Sequence, residues 1–559
     1  MSHARVLPPD RVPFTWQRIA ELTFDFTTTS SARGSRPNGP RSLMIAVLTL
    51  VGMSLVTAVA TNPAAGATRR STPLAGAAKR GIAWHGCGRR LQCAKVRAPL
   101  NWAHLRGPKI KLAVIRHLAS RPAKRIGSLF VNPGGPGGSI AYVRSSGEEL
   151  DTAAGGRFDV VGWDARGTGT GALVRCFSSK RSRRAFFRGW VVPTTTAASP
   201  RYVRKTASLA RRCGALSGPI LRHMSTADTG RDLEYLRRLV GDRRLTYLGR
   251  SYGTFIGQTY ANLFPNRVRA MVLDGVLDPV SWVKGLVPAY RDELSFNNRA
   301  FAQILSLCQR AGPARCALAG HGPVAARVDA LFARLRRGSI PARSAKPPGR
   351  LAYGDALAGV AVETSGGPAN WPTLAEHLEA AIDGDGSGLL EDARFFTHAF
   401  TTPVKSPGLP AVGITCADSV AGAGSSAWPR VVRQVTRVSY IFGPLLVWWR
   451  WAPCASWPVR SAHRYTGPWN ATTPNPILVI GTLNDPQTPY RDAQKTARRL
   501  GNAVLLTHDG YGHKSDLDPS TCVKRATRRY LVHLATPPRA KVCPSDRQPF
   551  DPNFGKPLP

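Results

Sequence analysis

The chain has 559 residues, 43% hydrophobic and 8% aromatic, enough for a sizeable core and, at about 150 residues per domain, for two to four domains. Glycine (54) and proline (45) stay below the share of roughly a quarter that marks low complexity, which excludes collagen, a coiled coil and global disorder. A mean hydropathy of −0.17 with one long apolar run excludes a polytopic membrane protein. The net charge is +44, from 62 arginines and 15 lysines against 33 acids. Such a field attracts anionic partners, cell-envelope polymers among them. The arginines are nevertheless spread along the chain, as when a GC-rich genome fills surfaces with Arg and Ala. No helix-turn-helix, zinc-finger or RNA-binding signature accompanies them, so no specific nucleic acid is expected.

In chain order, residues 1–67 read as an N-terminal extension with a targeting segment. Leu43–Ala60 (LMIAVLTLVGMSLVTAVA) is 18 residues without a charge. Arg33, Arg36 and Arg41 precede it, and the small-residue sites Ala58-Val59-Ala60 and Ala65-Gly66-Ala67 follow. That order is the order of a secretory signal. The run is also near the lower length for a membrane span, so a cleaved signal and an uncleaved anchor both fit. Either reading implies a secreted or cell-envelope protein. Residues 68–80 form a Gly/Ala/Pro/Arg linker, and a folded region begins at residue 81. Apolar runs bounded by turn residues predict strands at Ile110–His117, Ser128–Asn132, Phe158–Trp163, Leu245–Gly249, Val268–Asp274, Ile477–Gly481 and Ala503–Thr507. Leu233, Leu236, Leu239 and Val240 repeat at helical spacing, with Ser225, Thr226 or Asp228 as the cap. Tyr252–Leu263 predicts another helix, stopped by Pro265. Alternating strands and helices imply an α/β fold with a mostly parallel sheet covered on both faces. Across 281–465 strand runs are scarce and helical pieces such as Phe301–Arg310 and Val324–Arg337 dominate. We therefore expect a core in two parts, 81–280 and 466–559, with 281–465 as an inserted, mainly helical lid.

The ten cysteines are even in number and scattered, without any C-x-x-C. That pattern fits disulfides made in an oxidising compartment rather than zinc or redox motifs. No H-E-x-x-H occurs and the histidines are scattered, so neither a metal nor an organic cofactor is expected.

The sharpest motif is Gly249-Arg250-Ser251-Tyr252-Gly253, directly after one expected strand and before an expected helix. A strand–turn–helix with flanking glycines lifts the serine oxygen clear of the sheet, at a helix N-terminus that favours developing negative charge. A serine hydroxyl needs a base oriented by an acid, in this architecture in the order Ser, acid, His. Asp485, in Asn484-Asp485-Pro486, and His513, in Gly510-Tyr511-Gly512-His513, follow two later strands at the ends where open α/β sheets place ligands. His508 is the nearest competitor but ends a strand. Asp509, Asp516 and Asp518 read as solvated loop carboxylates. Asn132-Pro133-Gly134-Gly135-Pro136-Gly137-Gly138 follows another strand end. An amide of Gly134 or Gly135, with that of Tyr252, would form an oxyanion hole. The second glycine-rich loop, Gly162–Gly169, reads as structural and rim-forming, with Asp164 and Arg166 paired.

Taken together, NPGGPGGS (Asn132–Ser139), GWDARGTG (Gly162–Gly169), GRSYGT (Gly249–Thr254), DGVLDP (Asp274–Pro279) and LNDPQTPY (Leu483–Tyr490) resemble the secreted actinobacterial tripeptidyl aminopeptidases. These belong with the proline iminopeptidase-like serine peptidases of the α/β-hydrolase fold. The resemblance runs from about Cys87 to Cys543. It implies Ser251 as nucleophile, Asp485 as acid and His513 as base, and peptide substrates with a free N-terminus. Arg250 departs from the aromatic or neutral residue more usual there. Proximity and the resemblance favour the disulfides Cys87–Cys93, Cys176–Cys213, Cys308–Cys316, Cys416–Cys454 and Cys522–Cys543. A substrate ammonium in a strongly basic enclosure needs a carboxylate, for which Glu363, Asp418 and Asp274 are the candidates. An esterase or lipase-like hydrolase on the same residues, and a catalytically inactive binding protein of the cell envelope, are the alternatives. The oligomeric state is not legible.

Overall fold

The computed structural model describes residues 81–188, 192–194, 197–401, 408–420 and 424–555. The segment Leu43–Ala60, the extension 1–67 and the linker 68–80 lie outside the described residues. No helix among the described residues is long and apolar enough to cross a membrane.

One sheet of ten strands organises the core. The strands are β1 (His85–Gly88), β2 (Leu91–Pro99), β3 (Lys109–His117), β4 (Gly127–Asn132), β5 (Phe158–Trp163), β6 (Leu245–Arg250), β7 (Val268–Asp274), β10 (Ile477–Asn484), β11 (Ala503–Tyr511) and β12 (Val542–Pro544). Strands β8 (Ile340–Ala342) and β9 (Gly349–Leu351) form a separate hairpin. The sheet order is β1-β2-β3-β5-β4-β6-β7-β10-β11-β12. Pairing is antiparallel at β1–β2, β2–β3 and β3–β5 and parallel from β5 to β12.

Every expected strand is present. Three strands of the ten-stranded sheet were not foreseen, nor was the β8–β9 hairpin, and for the sheet the reasons are physical. β2 interleaves Lys95 and Arg97 with buried residues, and β1 and β12 are only four and three residues long. Each short edge strand is held covalently instead, β1 to β2 by Cys87–Cys93 and β12 to the helix Thr521–His533 by Cys522–Cys543. All five disulfides join the expected partners.

The two faces of the sheet follow from strand alternation. Leu129, Val131, Val160, Val272 and Ile480 pack with Val143 and Leu150 of the helix Ile140–Ala153, and with Val523, Tyr530 and Leu531 of the helix Thr521–His533. On the opposite face the helix Tyr252–Leu263 lies so close that a Cβ on Gly257 would come 2.6 Å from Leu273 and 2.9 Å from Tyr247. The helix Thr226–Leu239 packs beside it and is capped by Ser225, whose side chain accepts from the Asp228 amide.

Between β7 and β10 the described chain is mainly helical. Its longest helices are Leu286–Ala311, Val324–Arg337, Tyr353–Ser365, Trp371–Ile382 and Ser387–Thr401. β4 and β6 are neighbours in the sheet although β5 intervenes in sequence, and beyond them the order runs outward in both directions. That reversal leaves a crevice at the C-terminal ends of β4 and β6, the usual ligand position in open α/β sheets.

Candidate active site

The register of β4 against β6 sets Asn132 opposite Gly249, so the loop after β4 meets the turn after β6. The turn is tight. Ser251 has φ 53° and ψ −127°, a backbone conformation that costs about 1–3 kcal/mol and persists only where neighbours enforce it. Thr254 enforces it, donating to the Ser251 carbonyl from its amide (2.8 Å) and its hydroxyl (2.6 Å), while the Ser251 amide donates to the Asp274 carbonyl (3.0 Å). Both flanking glycines are required by contact. A Cβ on Gly249 would lie 2.4 Å from the Gly253 carbonyl oxygen, and one on Gly253 would lie 2.4 Å from that of Asn132.

The loop after β4 is ordered by Asn132. Its Oδ1 accepts from the Gly134 amide (3.0 Å), and its Nδ2 donates to Gly137 O (3.3 Å) and Ser139 Oγ (3.2 Å). Gly134 lies against the serine: a Cβ there would be 2.6 Å from Ser251 Cβ and 3.1 Å from its Oγ. The choice between the two glycines is thereby narrowed. The Gly134 amide is committed to the Asn132 side chain. The Tyr252 amide opens its helix and has no intrahelical partner.

Asp485 and His513 are brought together by the parallel pairing of β10 with β11. His513 Nδ1 is 3.0 Å from Asp485 Oδ1 and 3.2 Å from Oδ2. The fully buried carboxylate also accepts from the amides of Gln487 (2.8 Å), Thr488 (2.8 Å) and Lys514 (3.1 Å) and from the Thr488 hydroxyl (2.6 Å). Burial alone would raise the Asp485 carboxyl, but the His513 imidazole and the Thr488 donors outweigh it and hold it below the ordinary range. Among the described residues no hydrogen bond joins Ser251 Oγ to His513. Such contacts are commonly long in a free enzyme and tighten around substrate. His508 is elsewhere: it lies inside β11, bonded to Thr482 Oγ1 (3.1 Å) and pushed down to about 4 by burial, a neutral core histidine.

Several expectations are corrected. Asp164 and Arg166 do not pair. Arg166 is fully buried and forks onto Asp232 (2.6 and 2.7 Å) while donating to the carbonyls of Leu100 and His223. Asp164 turns the other way, to the Thr170 amide (2.8 Å). Neither forms a rim. Asp516 and Asp518 are not free loop carboxylates: Asp516, half-buried, is 3.0 Å from Arg250, and the buried Asp518 accepts from the Tyr511 amide (2.7 Å) and Ser545 Oγ (2.6 Å).

Of the three acids considered for a substrate ammonium, two are committed elsewhere. Asp274 accepts from Ser515 N (3.1 Å) and Oγ (2.8 Å), and Asp418 from Thr226 N (2.8 Å) and Oγ1 (2.6 Å). Glu363 lines a cavity of about 830 Å³. Gly135 and Pro136 of the loop after β4 form part of its wall, as does Gln487, two residues past Asp485. Three acids that the sequence reading missed, Glu293, Glu391 and Asp392, line it too, among Phe395, Phe442, Leu445 and Trp449. Glu363 Oε2 accepts from Asn370 (2.9 Å), and burial pushes its carboxyl up against that donor. Asp392 pairs with His377 (2.7 Å) and Glu391 accepts from the Lys346 amide (3.0 Å). The adjacent pair Glu391-Asp392, in a chain with 33 acids against 77 bases, was the available signal.

Residues 127–380 match the family described as alpha/beta hydrolase fold, and residues 439–543 the family described as TAP-like protein. The serine protease Hip1 of Mycobacterium tuberculosis is 31% identical over 472 residues, covering 81% of this chain and 87% of that one. The tripeptidyl aminopeptidase of Streptomyces lividans is 30% identical over 490 residues, covering 84% and 87%. The chain belongs to the tripeptidyl aminopeptidase-like serine peptidases of the α/β-hydrolase fold. A protein named carboxylesterase B, also of Mycobacterium tuberculosis, is 31% identical over 523 residues, covering 87% and 95%. As a member of this family the protein is a serine hydrolase of peptidase type, and the inactive binding-protein reading is set aside.

Proposed function

We propose that the protein is an exported aminopeptidase that releases short peptides, of tripeptidyl type, from free N-termini through an acyl-enzyme on Ser251. In this reading Ser251 Oγ attacks the scissile carbonyl and His513 takes its proton. The amides of Gly135 and Tyr252 hold the oxyanion. His513 then protonates the leaving amine, and water attacks the acyl-enzyme with His513 again as base. Asp485 keeps the imidazole oriented and stabilises its cation. The region 281–465 serves as a lid that excludes water from the site.

The observation that carries the aminopeptidase reading is the cavity beside Gly135 and Gln487 with Glu363 in its wall. In a protein of net charge +44, carboxylates gathered in one cavity suit a cationic group. The substrate's ammonium would meet Glu363, and its apolar side chains the aromatic wall. Export is supported by the five disulfides and by the segment Leu43–Ala60, cleaved or retained as an anchor. The likeness to a carboxylesterase favours a second reading, ester hydrolysis on the same residues. One assay separates the two. If the ammonium contact contributes about 1.5–4 kcal/mol, acetylating a peptide's N-terminus should lower kcat/KM by on the order of tenfold to a thousandfold. Equal cleavage of free and acetylated peptides, with faster turnover of short esters, would replace the aminopeptidase by the esterase.

A further inference from the structure

Arg250, the residue before Ser251, ends β6 and projects between two acids from other parts of the fold. Its Nε is 3.6 Å from Asp274 Oδ2, at the end of β7, and its Nη1 is 3.0 Å from Asp516 Oδ2, in the loop that carries His513. Nη1 also donates to the Tyr142 hydroxyl. Four consecutive residues of the histidine loop are tied down in turn. His513 and the Lys514 amide engage Asp485, Ser515 donates twice to Asp274, and Asp516 meets Arg250. Asp274 in turn accepts the Ser251 amide on its own carbonyl.

From this arrangement we infer that Arg250 is a positioning residue, clamping the His513 loop to the Ser251 turn through Asp516 and Asp274. The inference rests on the roles proposed for Ser251 and His513.

Two consequences follow from the charges. Asp274 is 2% exposed and Asp516 stands near it, so without the guanidinium two carboxylates would share one enclosed site, which like charges oppose. Burial disfavours the Arg250 charge, but Asp516 and Asp274 hold it on. The second consequence reaches His513. Asp485 from β10 and Asp516 of its own loop act on it directly, and Asp274 from β7, Arg250 from β6 and Lys514 are tied to that loop. Tyr142 and Glu149 of the helix Ile140–Ala153 face Arg250, and Glu293 and Glu363 line the adjoining cavity. Removing the arginine takes a cation from beside Asp516, and wherever both carboxylates stay ionised the added negative charge favours the imidazolium. The base works only when neutral, so the acidic limb of kcat/KM must move to higher pH.

The test compares Arg250→Gln, Arg250→Lys, Asp516→Asn and the double variant Arg250→Gln/Asp516→Asn, with Ser251→Ala as reference, across pH on a tripeptidyl amide with a free N-terminus and a chromogenic leaving amine. Arg250→Gln should lower kcat on the order of 10–100-fold through misplacement, with little change in KM. Its acidic limb should rise by about 0.5–1 pH unit. Arg250→Lys, which keeps the charge without the fork, should lose kcat but leave the limb in place. Asp516→Asn should move the limb down, and the double variant should return it towards wild type. Should Arg250→Gln not fold, the Lys variant and Asp516→Asn still decide the matter. Folded Arg250→Gln with kcat within twofold of wild type would overturn the clamp. So would a loss of kcat shared equally by Gln and Lys with neither limb moved, which marks a merely structural residue. If Ser251→Ala also keeps full turnover, the underlying assignment fails, not the clamp alone.

Discussion

Asp485→Asn is the most informative single substitution in the site. The carboxylate is fully buried and accepts hydrogen bonds from the amides of Gln487, Thr488 and Lys514, the Thr488 hydroxyl and His513 Nδ1. An asparagine oxygen in place of Oδ1 keeps the Gln487 and Thr488 amides. Its amide nitrogen, in place of Oδ2, then faces two donors that need an acceptor, the Lys514 amide and the Thr488 hydroxyl, and stands 3.2 Å from the imidazole nitrogen that Oδ1 meets at 3.0 Å. A buried donor left unpaired costs about 1–3 kcal/mol, so a net loss of about 2–4 kcal/mol in stability is expected after local relaxation. The imidazole is then pushed towards the wrong tautomer, with Nδ1 accepting and Nε2 protonated, unable to take the serine proton. The corresponding change in a Ser-His-Asp protease of the chymotrypsin type costs about 10⁴ in kcat, or about 5.5 kcal/mol. Turnover of a tripeptidyl amide with a free N-terminus and urea denaturation should be measured on the same preparation. A folded Asp485→Asn enzyme that retains a tenth of wild-type kcat would refute the role given to the carboxylate.

Other changes have equally definite outcomes. Gly253→Ala forces a Cβ to within 2.4 Å of the Asn132 carbonyl oxygen, and should cost about 1–3 kcal/mol in thermal denaturation and at least about tenfold in kcat. Glu363→Gln should lower kcat/KM on free peptides by about tenfold or more and leave N-acetylated peptides within about twofold, read from parallel steady-state assays. Burial pushes the Asp418 carboxyl up to about 7, against about 3.9 in an unfolded chain. Above pH 4 the unfolded chain therefore ionises first, and this residue's contribution to stability falls as pH rises from about 4 to about 7. The fall is up to about 4 kcal/mol, and Asp418→Asn should remove it in urea titrations at pH 4.5 and 7.5.

Much of the architecture was written locally. The seven buried runs that became strands are short, apolar and bounded by turn residues, and Gly249–Gly253 carries its own requirement for contact-free α-carbons. What was hidden depends on residues distant in sequence. Arg166 reaches Asp232, 66 positions on, because β5 and the helix Thr226–Leu239 converge; nothing near Arg166 announces that partner, while Asp164 stands two places away. Asp274 and Asp418 look like free acids until Ser515 and Thr226 are brought onto them, 241 and 192 positions distant. The choice between Gly134 and Gly135 turns on where the Asn132 side chain points, which composition does not encode. Arg250 was recognisable as unusual, but its purpose emerges only when Asp516 arrives from the far end of the chain.

The account stands on Ser251 as the nucleophile. The most direct measurement is intact-mass analysis and peptide mapping after brief exposure to a fluorophosphonate, on wild type and Ser251→Ala. One adduct per chain on the peptide containing Ser251 is expected, abolished in Ser251→Ala together with turnover of a tripeptidyl amide with a free N-terminus, while the variant's melting temperature stays within a few degrees of wild type. An adduct on another serine, or turnover that survives the substitution, would contradict it.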